Sequence, residues 1–375
     1  MNHLLPRRTF LRRAALGMTG ACLLPRSFLQ ASPSGLSPVA VTSGTDRREI
    51  LLRGLELMKA EILRAAHGRR ILLKPNMVSF NNQFGGNPEL SSSHVEQLEI
   101  VLDWFHHLGF RDIVVAESTP NGMTMEGFET LAYTELPRRR RVFFKDLNQE
   151  GYEEVAIAGS AGTVRISRMI LDPATFVVSL AKLKTHNNVA LTFSGKNVFM
   201  GSPVIDVKSF HGDGGRSDKS RMHGDRNQDL HDNLFRLAHR GVRPDLAVID
   251  GFEGMEGRGP IWGTGVPSRA AVVSTDWLAA DRVCCELTGF EEGLQRQGLE
   301  PEMPAYLRYC AQAGLGAFTF EQMELRGESP GDLRRVYQLH NDIAGMVGMD
   351  PDAPIYRSGA TWVNPLDRHG GGPGF

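Results

Sequence analysis

The chain has few cysteines, and none of their spacings suits a metal cluster. Cys22, Cys284, Cys285 and Cys310 are the four in 375 residues. No pair has the Cys-x-x-Cys spacing of iron–sulfur and structural zinc sites, so we expect no iron–sulfur cluster. For the last three we favour buried apolar thiols, and a disulfide from Cys310 to Cys284 or Cys285 stays open as the alternative.

The chain also lacks a surplus of positive charge, with a formal net charge of −1. Residues 1–31 carry five arginines and no acid, so the remaining 344 residues have 37 basic against 43 acidic side chains. A protein that binds nucleic acid through its phosphates needs an excess of basic groups. We therefore expect no nucleic-acid partner.

No apolar run reaches the roughly 20 residues that a membrane-spanning helix needs, so no stable membrane span is expected. A weakly apolar run at residues 14–24 follows Pro6-Arg-Arg-Thr-Phe-Leu-Arg12. This pattern predicts a twin-arginine signal peptide over residues 1–31, with the twin-arginine translocase as partner and the periplasm as destination. Lipidation at Cys22 is the weaker alternative, because the leucine usual three residues before such a cysteine is missing.

Short apolar runs alternate with segments of helical period, which predicts an α/β fold: a layered sheet with helices on both faces. The strand-like runs are residues 70–73, 112–116, 142–144, 176–181, 246–249 and 271–274, and the helical ones are 51–62, 95–105, 277–287 and 305–313. We predict a linker at 32–47, an α/β domain at 48–345 and a Pro/Gly-rich tail at 346–375. Two lobes, 48–150 and 151–345, with the site between them stay open. The polar stretch 201–229 predicts a long functional loop.

A dense set of reactive side chains follows the apolar run at 176–181. It contains Lys184, His186, Lys196 and Asn197. Ligands of α/β sheets bind beyond the carboxyl ends of strands, so we predict a site for a small anionic ligand here. His186 and Lys196 are candidate catalytic residues, and Lys184 and Asn197 are candidate anion-binding residues.

Other strand ends are predicted to contribute to the same site. Lys74 and Asn76 follow the run at 70–73 and are candidate anion-binding residues. The glycine-rich stretch 250–260 follows another run, and the backbone amides of Gly257 and Gly259 can face an anion. Asp250 begins this stretch and adds a carboxylate.

Histidines within the stretch 201–229 are candidates for proton transfer or metal binding. We predict His223 as a third catalytic residue. His186, His211 and Asp250 form the predicted metal set. Which of His211 and His223 joins the site stays open.

These motifs together resemble a bacterial and archaeal family catalogued as a domain of unknown function, the DUF362 family. The matching segments are Leu72-Leu-Lys-Pro-Asn76, Ala181-Lys-Leu-Lys-Thr-His186, Ser194-Gly-Lys-Asn197 with Gly201, His223, Ile249-Asp-Gly-Phe-Glu-Gly-Met-Glu-Gly-Arg-Gly-Pro260 and residues 274–281. The resemblance covers roughly residues 70–320 and implies a family whose activity is not established. Many members carry a ferredoxin-like module, and this chain lacks the cysteines of that module.

The chain is also distantly similar to the nickel-pincer lactate racemase family. His186 and Lys196 have that family's ten-residue spacing, and His211 or His223 corresponds to its later histidine. This similarity implies a lysine-tethered pincer nucleotide or a divalent transition metal as cofactor. One catalytic histidine of that family has no counterpart in this chain.

We therefore expect an exported enzyme that acts on a small anionic, hydroxy-acid-like substrate. A racemase or epimerase is the most specific version, and an oxidoreductase is a broader one. The alternative is a non-catalytic periplasmic protein that binds an anion or a metal with the same lysines.

Overall fold

The computed structural model describes residues 35–80, 86–139, 141–205, 217–341 and 343. The predicted signal peptide, Cys22, His211 and the predicted tail lie outside these residues. No helix in the described part of the chain is long and apolar enough to cross a lipid bilayer.

Strands and helices alternate along most of the described chain. The strands are β1 Ser37–Ser43, β2 Arg70–Pro75, β3 Ile113–Glu117, β4 Phe143–Asp146, β5 Tyr152–Ala156, β6 Thr163–Ser167, β7 Thr175–His186, β8 Ala190–Thr192, β9 Leu246–Glu256, β10 Thr264–Val266, β11 Ala270–Ser274 and β12 Met323–Gly327. The α-helices are α1 Arg47–Leu57, α2 Lys59–Ala66, α3 Pro88–Ser91, α4 Val95–His107, α5 Thr124–Thr130, α6 Arg168–Leu171, α7 Ser194–Gly201, α8 Asp218–Arg221, α9 Asn227–Arg240, α10 Trp277–Leu287, α11 Phe290–Arg296 and α12 Ala305–Gln312.

Ten strands form one sheet, with the order β12-β1-β11-β9-β7-β2-β3-β4 and with β8 and β10 attached to β7 and β9. The five neighbours from β9 to β4 run parallel. A separate antiparallel pair joins β5 and β6. Parallel neighbours need crossovers that lay helices on the sheet. The predicted layered α/β fold is confirmed.

Helices cover both faces of the sheet, and each face has its own apolar core. On one face, Leu51 of α1 and Phe105 of α4 are fully buried. On the other, Phe199 of α7, Leu234 of α9 and Val283 of α10 are fully buried. Burying each such side chain stabilises the fold by about 1.5–3 kcal/mol. The central strands are therefore apolar on both sides.

The prediction of a linker at residues 32–47 is wrong for residues 37–43, which form β1. This strand pairs with β11 on one side and β12 on the other. Val39 and Val41 belong to one core, and Ala40 belongs to the other. The Ser- and Pro-containing composition suggested a turn, but pairing with two distant strands determines the structure of this segment. Strands of both predicted lobes belong to the one sheet, in which β2 of the first lobe pairs with β7 of the second.

Two strands are longer than the sequence predicts. β7 continues to His186, and β9 continues through Asp250 to Glu256, since the polar ends pair with each other and with the short strands β8 and β10. Lys184 and His186 therefore lie on a strand, and Asp250 does not begin a loop. Within the stretch 201–229, α8 and the start of α9 are helical.

The start of α10 is capped by an aspartate. Asp276 caps α10 by accepting hydrogen bonds from the amides of Leu278 and Ala279, as expected of an aspartate at that position.

Cys284, Cys285 and Cys310 are buried free thiols. The interpretation as apolar core residues is confirmed, and no disulfide joins these three cysteines.

Candidate functional site

A cavity of about 330 Å³ lies beyond the carboxyl ends of β2, β3 and β7. Asn76, Glu117 and His186, which end or follow these strands, line it together with Lys196 and His223. Sites of parallel sheets lie at this edge because the crossover loops meet there. The structure thus brings the three predicted catalytic residues, His186, Lys196 and His223, to one cavity.

The central contact of the cavity joins Lys196 and His186. Lys196 Nζ lies 2.9 Å from His186 Nε2, and both side chains are 7% exposed. The backbone amide of Asn188 donates a hydrogen bond to His186 Nδ1 at 2.9 Å. A neutral imidazole carries one proton, which must then be on Nε2. Nε2–H therefore donates to Nζ, and only a neutral amine can accept that hydrogen bond.

The environment of both groups favours their neutral forms. Burial lowers the pKa of Lys196 to about 7. Burial, and then the positive charge of Lys196, hold the pKa of His186 well below its usual range. Lys196 also lies in the first turn of α7, where the helix dipole disfavours an added positive charge. Burial and the dipole therefore both favour the neutral amine that the hydrogen bonding requires.

The buried side chain of Asp281 holds the helix that carries Lys196. Asp281 of α10 accepts hydrogen bonds from the backbone amides of Ser194 and Gly195 at 2.9 and 3.0 Å. Gly195 packs on the indole of Trp277, where an added Cβ would lie 2.6 Å from two ring atoms. Burial raises the pKa of Asp281 to about 8. The start of α7 is thereby fixed from both sides.

A buried ion pair forms another part of the wall. Lys74 Nζ donates to Glu117 at 2.7 Å and to the Asn197 side-chain oxygen at 3.0 Å. Burial lowers the pKa of Lys74 and raises that of Glu117. Gly201 leaves room for this lysine, because an added Cβ would lie 2.1 Å from Nζ. The charge of Lys74 is therefore already matched inside the protein.

Asn188 contacts both histidines of the cavity. Besides its backbone bond to His186, its side-chain amide lies 3.3 Å from His223 Nδ1. An amide nitrogen donates, so His223 Nδ1 is an acceptor. Burial, and then the charge of Lys196, lower the pKa of His223 to about 4. Both imidazoles are therefore neutral at neutral pH.

Lys219 and Glu117 also line the cavity, and neither is among the predicted site residues. Lys219 is 7% exposed and donates to the carbonyl of Met200, and burial lowers its pKa to about 7. Glu117 ends β3, so the strand-end rule that selected Lys74 would also have selected it. Lys219 belongs to a polar stretch, and no local signal distinguished it from a solvated lysine.

Several predicted anion-binding residues lie behind the cavity wall. Lys184 does not line the cavity: its ammonium donates to Asn76 Oδ1 at 2.6 Å and to the carbonyl of Ser91. It supports Asn76, which does line the cavity. Gly257 and Gly259 pack around Thr185, whose hydroxyl donates to the Gly257 carbonyl at 3.0 Å. The residues that follow, 260–262, line the cavity instead.

Asp250 is distant from the histidines. Its Oδ2 atom lies 3.2 Å from Arg47 Nε and 3.8 Å from Lys182 Nζ. It stands opposite Lys182 in the sheet, and four strand residues, about 13 Å, separate Lys182 from His186. Among the described residues, no three His, Cys, Asp or Glu side chains are arranged to hold a metal ion. The predicted set of His186, His211 and Asp250 is thus not assembled by the part of the chain that the structure describes.

Comparison with known proteins gives a family without an assigned activity. Residues 71–286 match the model of a family described as "Domain of unknown function (DUF362)". The chain is 25% identical over 241 residues to the thylakoid-associated protein sll1697 of Synechocystis sp., a match that covers 62% of this chain and 70% of that protein. No solved structure matches the chain significantly.

Proposed function

Because the chain belongs to the DUF362 family, whose description names no activity, we propose its function from the site: an enzyme that acts on a small anionic, hydroxy-acid-like substrate or its oxo form through the Lys196 amine. The observation that carries the proposal is the 2.9 Å contact between Lys196 Nζ and His186 Nε2. The hydrogen bond from the Asn188 amide to His186 Nδ1 favours a neutral amine in this contact. A neutral lysine amine in a cavity is a nucleophile and a base, whereas an ammonium is neither.

The chemistry of a neutral amine next to a carbonyl is imine formation. The Nζ–carbon bond forms while the carbonyl π bond breaks, and the proton that Nζ loses goes to the carbonyl oxygen. Loss of water then gives the C=N bond. His186 is in place to relay the proton, since its Nε2 contacts Nζ. His223, which lines the same cavity, is the second candidate for proton transfer.

A lysine-tethered cofactor is the version that the similarity to lactate racemases implies. Lys196 fits as the point of attachment, because an amide bond forms from a neutral amine. Such a group would supply a hydride acceptor, and a racemase or epimerase would then be the enzyme class. The described residues provide no matching metal-ligand set, so the protein's own contribution is the tether at Lys196 and proton transfer by His223.

Mass spectrometry of the protein and of the peptide that contains Lys196 tests the proposal. The mature protein is purified from its own host, and its intact mass is compared with that of the bare chain. A second sample is treated with pyruvate and cyanoborohydride, which reduces an imine to a stable amine. We expect added mass on the peptide that contains Lys196, either before treatment, as a tether, or after it, as trapped substrate.

Lys196→Ala should abolish the added mass, and Lys59→Ala is the matched control because Lys59 is a surface lysine paired with Glu56. An unmodified Lys196 under both conditions would overturn the proposed role of the amine. Trapping that is equal at Lys59 and Lys196 would show surface chemistry only and would count against it as well.

A non-catalytic anion-binding protein remains the second candidate, and it is favoured by Lys219, a cavity lysine that donates to the carbonyl of Met200. Binding needs the lysines but no proton transfer by the histidines. The double variant His186→Ala with His223→Ala distinguishes the two candidates. If the variant keeps its affinity for pyruvate and neither the variant nor the native protein shows turnover, the result favours a binding protein. If the native protein shows turnover and the variant does not, the result favours an enzyme.

Export by the twin-arginine pathway is proposed from the sequence motif at residues 6–12. Changing Arg7 and Arg8 together to lysine should retain the protein in the cytoplasm, and changing Arg12 and Arg13 should not. Cell fractionation measures the result, and equal distribution of the two variants would contradict the proposal. The same fractionation shows whether the chain associates with membranes, as the name of the Synechocystis protein states for that protein.

A further inference from the structure

The lysines in and behind the cavity wall differ in their hydrogen-bond partners. Lys74 is matched by Glu117, and Lys184 lies behind the wall. Lys196 is engaged with His186. Lys219 Nζ donates to a backbone carbonyl, that of Met200, and a lysine ammonium has three donors. Lys219 is therefore the cavity lysine suited to bind an anion.

Lys219 and Lys196 line the same cavity. Met200, whose carbonyl receives the Lys219 hydrogen bond, follows Lys196 by four residues in α7. The Lys219 hydrogen bond therefore lies about one helical turn from Lys196 along α7, and the charge of Lys196 is one of the causes that lower the pKa of Lys219. A ligand whose charged group meets Lys219 would thus share the cavity with the Lys196 amine.

Apolar side chains form the more exposed part of the cavity. Trp262 lines it and is 46% exposed, and Ile261 and Met200 line it as partly buried residues. The Arg258 guanidinium lies 5.9 Å from the centroid of the Trp262 ring, a cation–π contact that orients the indole. An oriented indole at a cavity is a surface on which a flat apolar group can stack.

We propose that the cavity takes a carboxylic acid with a flat apolar body: the carboxylate binds Lys219, the body packs on Trp262, and the Lys196 amine faces the ligand in the same cavity. The proposal rests on the proposed function, because it uses Lys196 as the reacting group. The volume of about 330 Å³ is near the lower end for ligand pockets and suits one molecule of this size.

Isothermal titration calorimetry on the mature protein at pH 6.5 tests this with three probes. Phenylpropanoate has the carboxylate and the ring, propanoate has the carboxylate alone, and phenylpropanol has the ring without the charge. We expect phenylpropanoate to bind roughly tenfold or more tightly than either of the others. Equal dissociation constants for the two acids, or for phenylpropanoate and phenylpropanol, would overturn the proposal.

Variants test which residue binds the ring of the ligand and which binds its carboxylate. Trp262→Ala should bring the ratio of the two acids' dissociation constants toward one, and Trp262→Phe should keep most of it. Lys219→Met should weaken both acids by roughly tenfold without affecting phenylpropanol. Phe143→Ala is the control, since Phe143 is 49% exposed on β4 and does not line the cavity. A ratio that survives Trp262→Ala would refute the stacking surface.

The outcomes separate this inference from the proposed function. A ring-bearing acid that binds through Trp262 and Lys219 while Lys196 stays unmodified would leave the ligand class standing and remove the covalent chemistry. Trapping of pyruvate at Lys196 without any preference for the ring would keep the enzyme and overturn the ligand class.

Discussion

At the scale of single residues, the burial of lysines determines the chemistry of this protein. Lys74, Lys184, Lys196 and Lys219 are each at most 7% exposed. An ammonium loses its hydration when it is buried, and burial is the main reason that all four pKa values are lowered. Lys74 regains stabilisation from Glu117, whereas Lys196 meets an imidazole. The pair with a carboxylate gives Lys74 a structural partner, and the pair with a histidine is the one for which we propose reactivity.

The cost of burying Lys196 predicts how stability depends on pH. The folded pKa is about 7, below the pKa of about 10.4 that a lysine has in an unfolded chain. Between these values the unfolded chain binds the extra proton, so this group makes the native state more stable as pH rises. Below pH 7 the cost is fully present. Lys196→Met removes it, so the variant's gain in free energy of unfolding should be largest at pH 6.5 and should fall by about 3 kcal/mol by pH 9.5.

Urea unfolding at pH 6.5, 8 and 9.5 measures this difference between variant and native protein. Lys59→Met is the control, because Lys59 is a surface residue in a pair with Glu56, and its effect should not vary with pH. A constant difference for Lys196→Met across the three pH values would mean that the amine is not held neutral by burial.

At the scale of elements, α7 is the part on which the site depends. Its first turn carries Lys196, and its amides are held by the Asp281 carboxylate from α10. Asn197 of the same helix holds Lys74. One short helix thereby sets the positions of both lysines. Gly195 in the first turn of this helix has no side chain, and this allows the backbone to approach the Trp277 indole closely.

Substitution of Asp281 tests how much its two hydrogen bonds to the start of α7 stabilise the folded protein. Asp281→Ala leaves two buried amides without their acceptor, which should lower the free energy of unfolding by about 2–4 kcal/mol. Asp281→Asn keeps one acceptor oxygen and should cost less. Asp112→Asn is the control, because it removes an exposed pair with Arg70 and should change stability by less than about 0.5 kcal/mol. Chemical unfolding measures the free energy of unfolding of the three variants. If the Asp281→Ala variant is as stable as the Asp112→Asn control, Asp281 does not stabilise the start of α7.

At the scale of the whole molecule, the sequence predicts local patterns better than pairing between distant segments. The strands at 70–75 and 113–117 and the helix at 277–287 have local apolar periods, and the structure has them where predicted. β1 and the ends of β7 and β9 form because distant partners pair with them. Lys219 was missed for the same reason: its burial depends on residues far from it in the chain.

The binding of an anion should be coupled to the uptake of a proton by the whole protein. Burial holds the pKa of free Lys219 at about 7, and a bound carboxylate would raise it, because an opposite charge favours the ammonium. Above pH 7 the free protein must therefore take up a proton to bind, so the affinity for phenylpropanoate should fall by up to about tenfold per pH unit. Below pH 7 this dependence should vanish, since Lys219 is already charged.

Ligand-induced shifts of the thermal midpoint between pH 6 and 9 report this coupling, because a ligand that binds only the native state stabilises it in proportion to its affinity. Lys219→Arg should bind with an affinity that no longer varies above pH 7, since a guanidinium keeps its charge throughout that range. Lys219→Met should lose both the affinity and its pH dependence. If the native protein and Lys219→Arg respond to pH in the same way, another group takes up the proton, and Lys219 is not the residue that binds the carboxylate.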